Sequence, residues 1–318
     1  MRFMHKRMTE AWKRVICASF FLVVSATATR YAGDFEELGT SARAIGMGGA
    51  VVALVSDPSA IYYNPALTSR LTRPSALLLH SEDFAGLVKH NFLSIAFPSC
   101  QQSFGLAVLQ NGIPGIKLTA VPDSTKPPGE NNRPYVTRTV NANQLVCYFS
   151  YSRTLSPRLA IGGNSKVIYQ DLGGCGSCFG MGIDVGLTIT PLHNLDVGIR
   201  IRNLSTSPLF WDTGTRELIL PRAALGLARS FEMGRDRLRL ALETESDFAT
   251  TTSLPAFGLE YGFRNILFGR LGLYHGSFTF GLGARIGRLY IDYGSAAGLG
   301  AESRDLGSIQ QISGGVEF

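Results

Sequence analysis

The length, composition and charge of this chain of 318 residues limit the classes of protein it can belong to. Hydrophobic residues make up 45% of it, charged residues only 17%, and 36 residues are glycine. Beyond the N-terminal leader it has no stretch of about 20 apolar residues, which excludes a membrane-spanning helix. The net charge is +6 overall, but residues 29–318 hold 25 basic and 23 acidic residues, so the charge does not indicate nucleic-acid binding.

The first 28 residues have the three parts of a secretory signal peptide. Basic residues come first, an apolar run over residues 15–24 follows, and Ala26-Thr27-Ala28 supplies small residues at the cleavage positions. We therefore predict a signal peptide over residues 1–28 and a mature chain that begins near Thr29. The basic residues are Arg2, Lys6, Arg7, Lys13 and Arg14.

Residues 29–73 form a separate segment that is rich in small and apolar residues. Gly46, Gly48 and Gly49 would let its backbone pack closely against a wall of the protein. Asn64-Pro65 is a turn pair whose amide can satisfy unpaired peptide groups in an interior. The glycines do not indicate a phosphate-binding loop, since no Gly-Lys-Ser/Thr follows them and no strand–helix alternation surrounds them.

From residue 74 onward, apolar and polar residues alternate in segments of about ten residues. Between Phe278 and Ile286, for example, every second residue is apolar and the residues between them are small or polar. Strands of a soluble β-sandwich also alternate, but ten residues is the length that a tilted membrane-spanning strand requires. The fourteen strand candidates lie near residues 74–81, 89–98, 102–110, 138–152, 157–169, 179–190, 194–204, 218–231, 235–246, 253–264, 266–275, 277–286, 288–296 and 307–318.

The connections between these strands alternate between short and long. Two long ones are predicted over Asn111 to Thr137 and Ser205 to Glu217, whereas Leu155-Ser156-Pro157 and Met233-Gly234 are short. A bacterial outer-membrane barrel has short periplasmic turns and longer external loops, but a sandwich gives no reason for this alternation. The sequence therefore predicts an all-β protein, a 14-stranded antiparallel transmembrane β-barrel over residues 74–318.

The polar faces of the predicted strands carry charges of both signs. Two interpretations are open, because these charges could pair with each other and with residues 29–73, or could line a polar path for a solute. Pairing is favoured, since the two signs are mixed rather than segregated. The candidate lumen charges are Asp196, Arg200, Arg202, Arg270, Arg285 and Asp292, with Lys166, Asp184, Arg239, Glu243 and Glu260 on the same faces.

The last strand candidate alternates up to a C-terminal phenylalanine, Phe318. Ile312, Gly314 and Val316 share one face with it, and polar or small residues occupy the other face. This ending is typical of the assembly signal of outer-membrane barrels. We therefore predict that Phe318 is needed for insertion and that the barrel-assembly machinery and outer-membrane lipid are partners.

Motifs for catalysis or metal binding are weak in this chain. It has no Gly-x-Ser-x-Gly and no paired histidine motif, and Cys175 and Cys178 have no second pair at metal-binding spacing. In an exported protein these two cysteines form a local disulfide or stay as free thiols. We predict a protein that is not an enzyme and has no cofactor.

The string from Ala42 to Ala66, with its Arg-Ala-Ile-Gly-Met-Gly-Gly-Ala core and its Tyr-Asn-Pro-Ala end, resembles the N-terminal segment of the PorV/PorQ outer-membrane proteins. More distantly, it resembles the FadL-type long-chain fatty-acid transporters. Both groups are fourteen-stranded barrels, and the resemblance implies that residues 29–73 fold into the lumen as a hatch. The residues that carry it are Arg43, Gly46, Gly48, Gly49, Asp57, Asn64, Pro65 and Ala66.

The PorV/PorQ resemblance implies a location in the bacterial outer membrane and a role in protein export or surface attachment. In the best known cases such a barrel is a shuttle in type IX secretion, and its partners are secretion-system proteins and exported substrates. The alternative, implied by the FadL resemblance, is passive uptake of a hydrophobic ligand. A third alternative is a structural outer-membrane protein with neither activity. The string is common to shuttles and transporters, so the sequence leaves the choice open.

Overall fold

The computed structural model describes residues 32–84, 86–250, 252–274, 276–296 and 308–318, and the predicted signal peptide lies outside them. Short helices come first: two 3₁₀ helices, Asp34–Glu36 and Pro65–Arg70, and two α-helices, Ala42–Gly46 and Ala60–Tyr63. None of the helices in the described residues is long and apolar enough to cross a membrane.

Sixteen strands follow within the described part of the chain. They are β1 (Ser75–Asp83), β2 (Val88–Ser99), β3 (Gln102–Ala120), β4 (Tyr135–Ser156), β5 (Leu159–Asp171), β6 (Ser177–Leu192), β7 (Leu195–Arg202), β8 (Ser207–Trp211), β9 (Arg216–Ile219), β10 (Arg222–Met233), β11 (Asp236–Asp247), β12 (Thr252–Phe263), β13 (Leu267–Tyr274), β14 (Ser277–Ile286), β15 (Leu289–Ala296) and β16 (Ile309–Glu317).

Fourteen of these strands form one closed antiparallel barrel. Each pairs with the next along the chain, except that β7 pairs with β10 across the β8–β9 hairpin. The first and last strands close the barrel, with Ser75 opposite Glu317 and Ser81 opposite Gln311. Closure leaves no strand edge unpaired, which is the condition for β-structure to span a bilayer. The predicted fold, an all-β barrel of 14 antiparallel strands, is confirmed.

The exterior of the barrel is apolar and its interior is polar, as the alternation predicts. On β14 the side chains of Phe278, Leu282 and Ile286 point outward and are 76%, 62% and 77% exposed, whereas Ser277 and Thr279 are buried. Similar outward-facing aromatic and aliphatic residues occur on the other barrel strands. A surface of this kind is stable in contact with lipid tails.

The connections distinguish the two ends of the barrel. At the short-turn end they span only two or three residues, at 100–101, 157–158, 193–194, 234–235, 264–266 and 287–288. The first strand begins and the last strand ends at this same end, where the Phe318 amide donates a hydrogen bond to the Pro74 carbonyl at 2.8 Å. The opposite end, the long-loop end, carries the two longest connections. A role for Phe318 in assembly stays a prediction.

The long loop predicted over Asn111 to Thr137 is wrong for about half of its length, since the connection between the strands is 121–134. Strand β3 continues to Ala120 and pairs with β4 from Tyr135 onward, so the two strands extend beyond their neighbours as a two-stranded arm. Pro114-Gly115 predicts a turn in the sequence. In the structure it forms a β-bulge, with Gly115 at φ 74°, and the pairing of β3 with β4 continues on both sides of it. The β-branched and aromatic residues beyond the bulge favour continued pairing.

The second predicted long loop, Ser205 to Glu217, is also partly wrong. It contains strands β8 and β9, a short hairpin that extends the wall at the long-loop end by pairing with Cys178 to Gly180 of β6. Strands of five and four residues are too short to show a clear alternation. The four cysteines in the described residues, Cys100, Cys147, Cys175 and Cys178, are all free thiols.

Candidate functional site

Residues 32–73, the hatch, lie inside the barrel and divide its lumen. Met47, Ala60 and Ile61 at their centre have no exposed surface. The Tyr62 and Tyr63 rings pack edge to face with centroids 4.8 Å apart. Side chains of the wall form hydrogen bonds with the hatch backbone. The side-chain amide of Asn111, for example, donates to the Phe35 carbonyl at 2.7 Å.

Glycines on the inner face of the wall form the surface on which the hatch rests, which we call the glycine seat. They face each other in four cross-strand pairs. Hatch atoms, mostly of the backbone, fill the space where their side chains would be: a β-carbon at position 162 would lie 2.5 Å from the Pro65 carbonyl carbon, and one at position 258 would lie 2.5 Å from the Met47 oxygen. The pairs are Gly162 with Gly186, Gly198 with Gly226, Gly258 with Gly272, and Gly281 with Gly294.

We expect Gly272→Ala to cost about 1 to 3 kcal/mol of stability, because its methyl group would overlap the hatch at Gly48 and lie 2.5 Å from the Met47 carbonyl carbon. Gly269→Ala on the same strand is the matched control, since no atom lies within 4 Å of a β-carbon there. Urea unfolding of both variants, followed by loss of heat-modifiable mobility on gels, measures the difference. Equal stability of the two variants would show that the seat is not tightly packed.

The glycines and the Asn-Pro pair of the predicted hatch motif contact the wall directly. A β-carbon on Gly46 would lie 2.8 Å from Gly281, and one on Gly48 would lie 2.6 Å from the Phe257 oxygen. Gly48 and Gly49 have positive φ, and Gly49 rests against the Tyr274 ring. The Asn64 amide donates to the carbonyls of Val52 at 2.8 Å and Leu187 at 3.2 Å, so it joins two hatch segments to strand β6.

The other motif residues are also buried. The Asn64 side-chain oxygen accepts a hydrogen bond from Ala66 at 3.2 Å, and Pro65 lies over Gly162 and Gly186. Asp57 caps the turn before the Ala60–Tyr63 helix by accepting from the Ser59 amide at 2.9 Å.

Arg43 of the hatch joins a buried ion cluster on the wall. Its guanidinium lies 2.9 Å from Glu260 and 3.8 Å from Asp57. Glu260 also accepts from Arg239 at 2.8 Å and Arg270 at 2.7 Å, and Arg270 bonds Asp292 at 2.7 Å. One carboxylate thus holds three guanidiniums, and the hatch is tied to strands β11, β12, β13 and β15.

A second ion cluster holds the beginning of the hatch, and sequence reasoning missed its acidic half. Glu36 bonds the fully buried Lys166 at 2.8 Å. Glu37 bonds Arg202 at 3.1 Å and Arg222 at 2.6 Å. Asp34 lies 3.5 Å from Arg222. The three acids sit together in the sequence, which is the only signal that could have identified them.

Burial raises the pKa of Glu37 and of Asp34, although neighbouring arginines act in the opposite direction. Both groups lie in the hatch, outside the spanning strands. Because a raised carboxyl pKa opposes ionisation, the ion pairs that these two groups make with the wall weaken as the pH falls.

The remaining candidate lumen charges have ion-pair partners, except Glu243, which accepts hydrogen bonds from the Val51 and Val52 amides at 2.8 Å. Asp196 bonds Arg70 of the hatch at 2.9 Å, and Arg285 bonds Glu317 at 3.1 Å. Arg200 and Arg202 share Glu245. Arg200 also donates to the Tyr63 carbonyl at 3.2 Å. These contacts favour pairing, rather than an open polar path, as the main role of the lumen charges.

Two cavities lie on opposite sides of the hatch, each of about 350 Å³. The upper chamber, at the long-loop end, is lined by Tyr62, Tyr63, Ile45, Ala256 and Tyr274 on one side and by the Arg200–Glu245–Arg202 pairs on the other. The lower chamber, at the short-turn end, is lined mainly by polar residues that include Arg43, Glu260 and Arg270. The two chambers share no lining residue, so the hatch separates them. The described residues contain no cluster of ligands that could hold a metal ion.

Several solved structures have an architecture similar to that of this chain. No protein-family model and no curated protein matches the chain. The toluene transporter TbuX of Ralstonia pickettii is 12% identical with a TM-score of 0.59, and the match covers 88% of this chain and 98% of that one. The toluene transporter TodX of P. putida is 13% identical with a TM-score of 0.58, over 88% and 99% of the two chains. A FadL homologue of Pseudomonas aeruginosa is 13% identical with a TM-score of 0.54, and the match covers 88% of this chain and 98% of that one.

The chain has the FadL-type fold. The predicted location, the bacterial outer membrane, agrees with this fold. The comparisons support the distant resemblance to FadL-type transporters and give no support to the PorV/PorQ resemblance. Two of these three solved structures are toluene transporters, and the third is a FadL homologue.

Proposed function

We propose that this chain is an outer-membrane channel through which small hydrophobic compounds are taken up. The observation that carries the proposal is the upper chamber, a cavity with a largely apolar side in a barrel that the hatch closes. The FadL-type fold supports it, because the fold is shared with two toluene transporters and a FadL homologue.

The upper chamber has the size and lining of a small-molecule site. Its volume of about 350 Å³ lies within the range of about 300 to 1,000 Å³ that is usual for ligand pockets. Tyrosine rings and aliphatic side chains supply apolar contact area on one side. The charged side does not repel an apolar compound strongly, since its arginines are ion-paired: Arg200 and Arg202 with Glu245, and Arg222 with Glu37 and Asp247.

Transport through this barrel requires movement of the hatch or of the wall beside it. The hatch occupies the level of the glycine seat, between two chambers that share no lining residue. A compound that enters the upper chamber from the long-loop end therefore meets the hatch before it can reach the periplasmic end. The upper chamber is a binding stage, and passage follows when the hatch shifts.

The proposal is tested by filling the upper chamber. Ala256 faces this chamber from strand β12, so we expect Ala256→Phe to occupy part of it and weaken ligand binding at least tenfold. The measurement is displacement of an apolar fluorescent dye from the purified protein by toluene and by long-chain acids. Leu282→Phe, on the lipid-facing side, is the control and should bind as the wild type does.

Two results would contradict the uptake proposal. One is that no apolar compound displaces the dye from the wild-type protein, and the other is that Ala256→Phe binds as tightly as the wild type. The export role implied by the PorV/PorQ resemblance depends on residues 42–66 alone. A deletion strain that grows normally on hydrophobic compounds but fails to display its surface proteins would favour export.

A further inference from the structure

The lower chamber has an unusual lining, in which arginine is the main residue type. Arg43, Arg239 and Arg270 line its inner part around Glu260. Arg70, Arg73, Arg237 and Arg285 line the part nearer the short-turn end. No lysine lines the chamber, and the upper chamber has only three arginines.

Guanidiniums outnumber carboxylates in this chamber. Seven arginines line it, but only four acidic residues do: Asp57, Glu260, Asp292 and Glu317. Two of the arginines have partners outside the lining, because Arg70 bonds Asp196 and Arg237 bonds Glu232, each at less than 3 Å. Even when these two acids are counted, positive charge is in excess. The excess is then one charge, and in a confined space this charge acts more strongly than at a free surface.

Three buried polar groups of this lining have no hydrogen-bond partner among the described residues. They are Nε of Arg239, one terminal nitrogen of Arg70, and the hydroxyl of Tyr290. The two arginine groups can only donate, and the tyrosine hydroxyl also can. Buried donors without an acceptor are costly, and a native protein usually retains them where something binds. Other acceptors of the chamber are in use: Glu260 alone receives three arginines.

We propose that the lower chamber binds an oxyanion group, a carboxylate or a phosphate, at the periplasmic mouth of the barrel. The arginine fork matches the paired oxygens of such a group and bonds them with two parallel hydrogen bonds. A cation is disfavoured by the excess of positive charge. A neutral apolar molecule is disfavoured because it would leave the free donors unsatisfied.

This site is separate from the one in the proposed function. It shares no lining residue with the upper chamber and needs no hydrophobic ligand there. Oxyanion binding can therefore be measured with no apolar compound present. Loss of uptake activity would not affect this proposal, and absence of oxyanion binding would not affect the proposed uptake function.

The first test is calorimetric titration of the purified full-length protein in neutral detergent at low ionic strength. The probes are inorganic phosphate, glycerol 1-phosphate as the anionic part of a phospholipid head group, and butyrate. We expect saturable binding of at least one probe, and its affinity should fall as salt is added. The probe that binds most tightly distinguishes a free phosphate, a lipid head group and a carboxylic acid as the source of the oxyanion.

Variants assign the binding to the lower chamber. Arg70→Gln combined with Arg239→Gln should weaken binding at least tenfold, since both residues carry free donors there. Thr72→Glu adds a tethered carboxylate at an exposed position of the lining and should weaken binding without loss of packing. Thr72→Gln has the shape of the Thr72→Glu side chain without its charge, so it measures the effect of side-chain size alone, and Thr72→Glu should bind more weakly than Thr72→Gln. Arg133→Gln removes one positive charge from the exposed β3–β4 loop and should have no effect.

The outcomes are separable even if the double arginine variant does not fold. Lower affinity in Thr72→Glu than in Thr72→Gln, with normal affinity in Arg133→Gln, supports the site. The proposal is overturned if none of the three probes binds the wild-type protein, or if Thr72→Glu binds as tightly as Thr72→Gln.

Discussion

Replacing Glu260 with alanine is expected to destabilise the barrel by about 3 to 5 kcal/mol, because breaking a buried ion pair leaves charges without compensation. Glu260 is only 2% exposed. It bonds Arg43, Arg239 and Arg270 at 2.9, 2.8 and 2.7 Å. Without it, Arg239 has no acid partner among the described residues, and Arg43 keeps only Asp57, at 3.8 Å, as an acid partner, together with its hydrogen bond to Ser56 at 3.0 Å.

The measurement is urea unfolding in a fixed detergent, followed by loss of heat-modifiable mobility. Glu232→Ala is the control, since it removes an exposed carboxylate that also bonds an arginine, Arg237, at 2.8 Å. Exposed pairs are worth about 0 to 1 kcal/mol, so the control should be nearly neutral. A combined Glu260→Ala and Arg239→Ala variant should recover part of the lost stability. If the two single variants cost the same, the buried cluster does not stabilise the barrel.

Arginine in place of Leu282 should cost about 2 to 4 kcal/mol, which is the usual cost of a cation at the bilayer midplane. Leu282 lies midway along strand β14, points outward and is 62% exposed on the barrel surface. Neighbouring outward residues are also apolar, so the guanidinium would find no partner there. Equilibrium unfolding of barrels inserted in lipid vesicles measures the effect.

The matched control is the same substitution at a different depth in the membrane. Ile286 lies on the same face of the same strand, but at its short-turn end. Ile286→Arg should therefore cost only about 0 to 1 kcal/mol, because an interfacial arginine reaches water or lipid head groups. Equal costs at positions 282 and 286 would mean that the apolar belt does not contact a bilayer.

The barrel was predictable from sequence because the period of a strand is two residues. A strand with one face toward lipid and one toward the lumen must alternate apolar and polar residues. Most of the strands do so, as Phe278 and Thr279 illustrate on β14. The connections were less predictable. Pro114-Gly115 carries the signal of a turn, and only its pairing partners on β4 show that it is a bulge.

The site was predictable only in part, since its contacts join residues that are far apart in the chain. The hatch string was visible as a run of small residues, but the glycine seat was not. Its glycines form a surface only when strand register brings pairs such as Gly162 and Gly186 together. The acids of the hatch have partners more than a hundred residues away, as with Glu36 and Lys166. The alternation of residues predicts on which face of a strand a charged side chain lies, but not which residue it pairs with.

The position of the hatch at the start of the chain has a kinetic consequence. The hatch is made before the barrel strands during synthesis, but one of its contacts with the wall comes from the last strand: the Gln311 side-chain amide donates to the Leu38 carbonyl at 2.8 Å, across 273 residues. Chain entropy must be lost before such a contact can form. The hatch therefore cannot be fully ordered until β16 has paired with β1. A chain that is stalled before this strand has an incompletely ordered hatch and a sheet that is still open. Closure of the barrel and ordering of the hatch therefore become one late event in assembly.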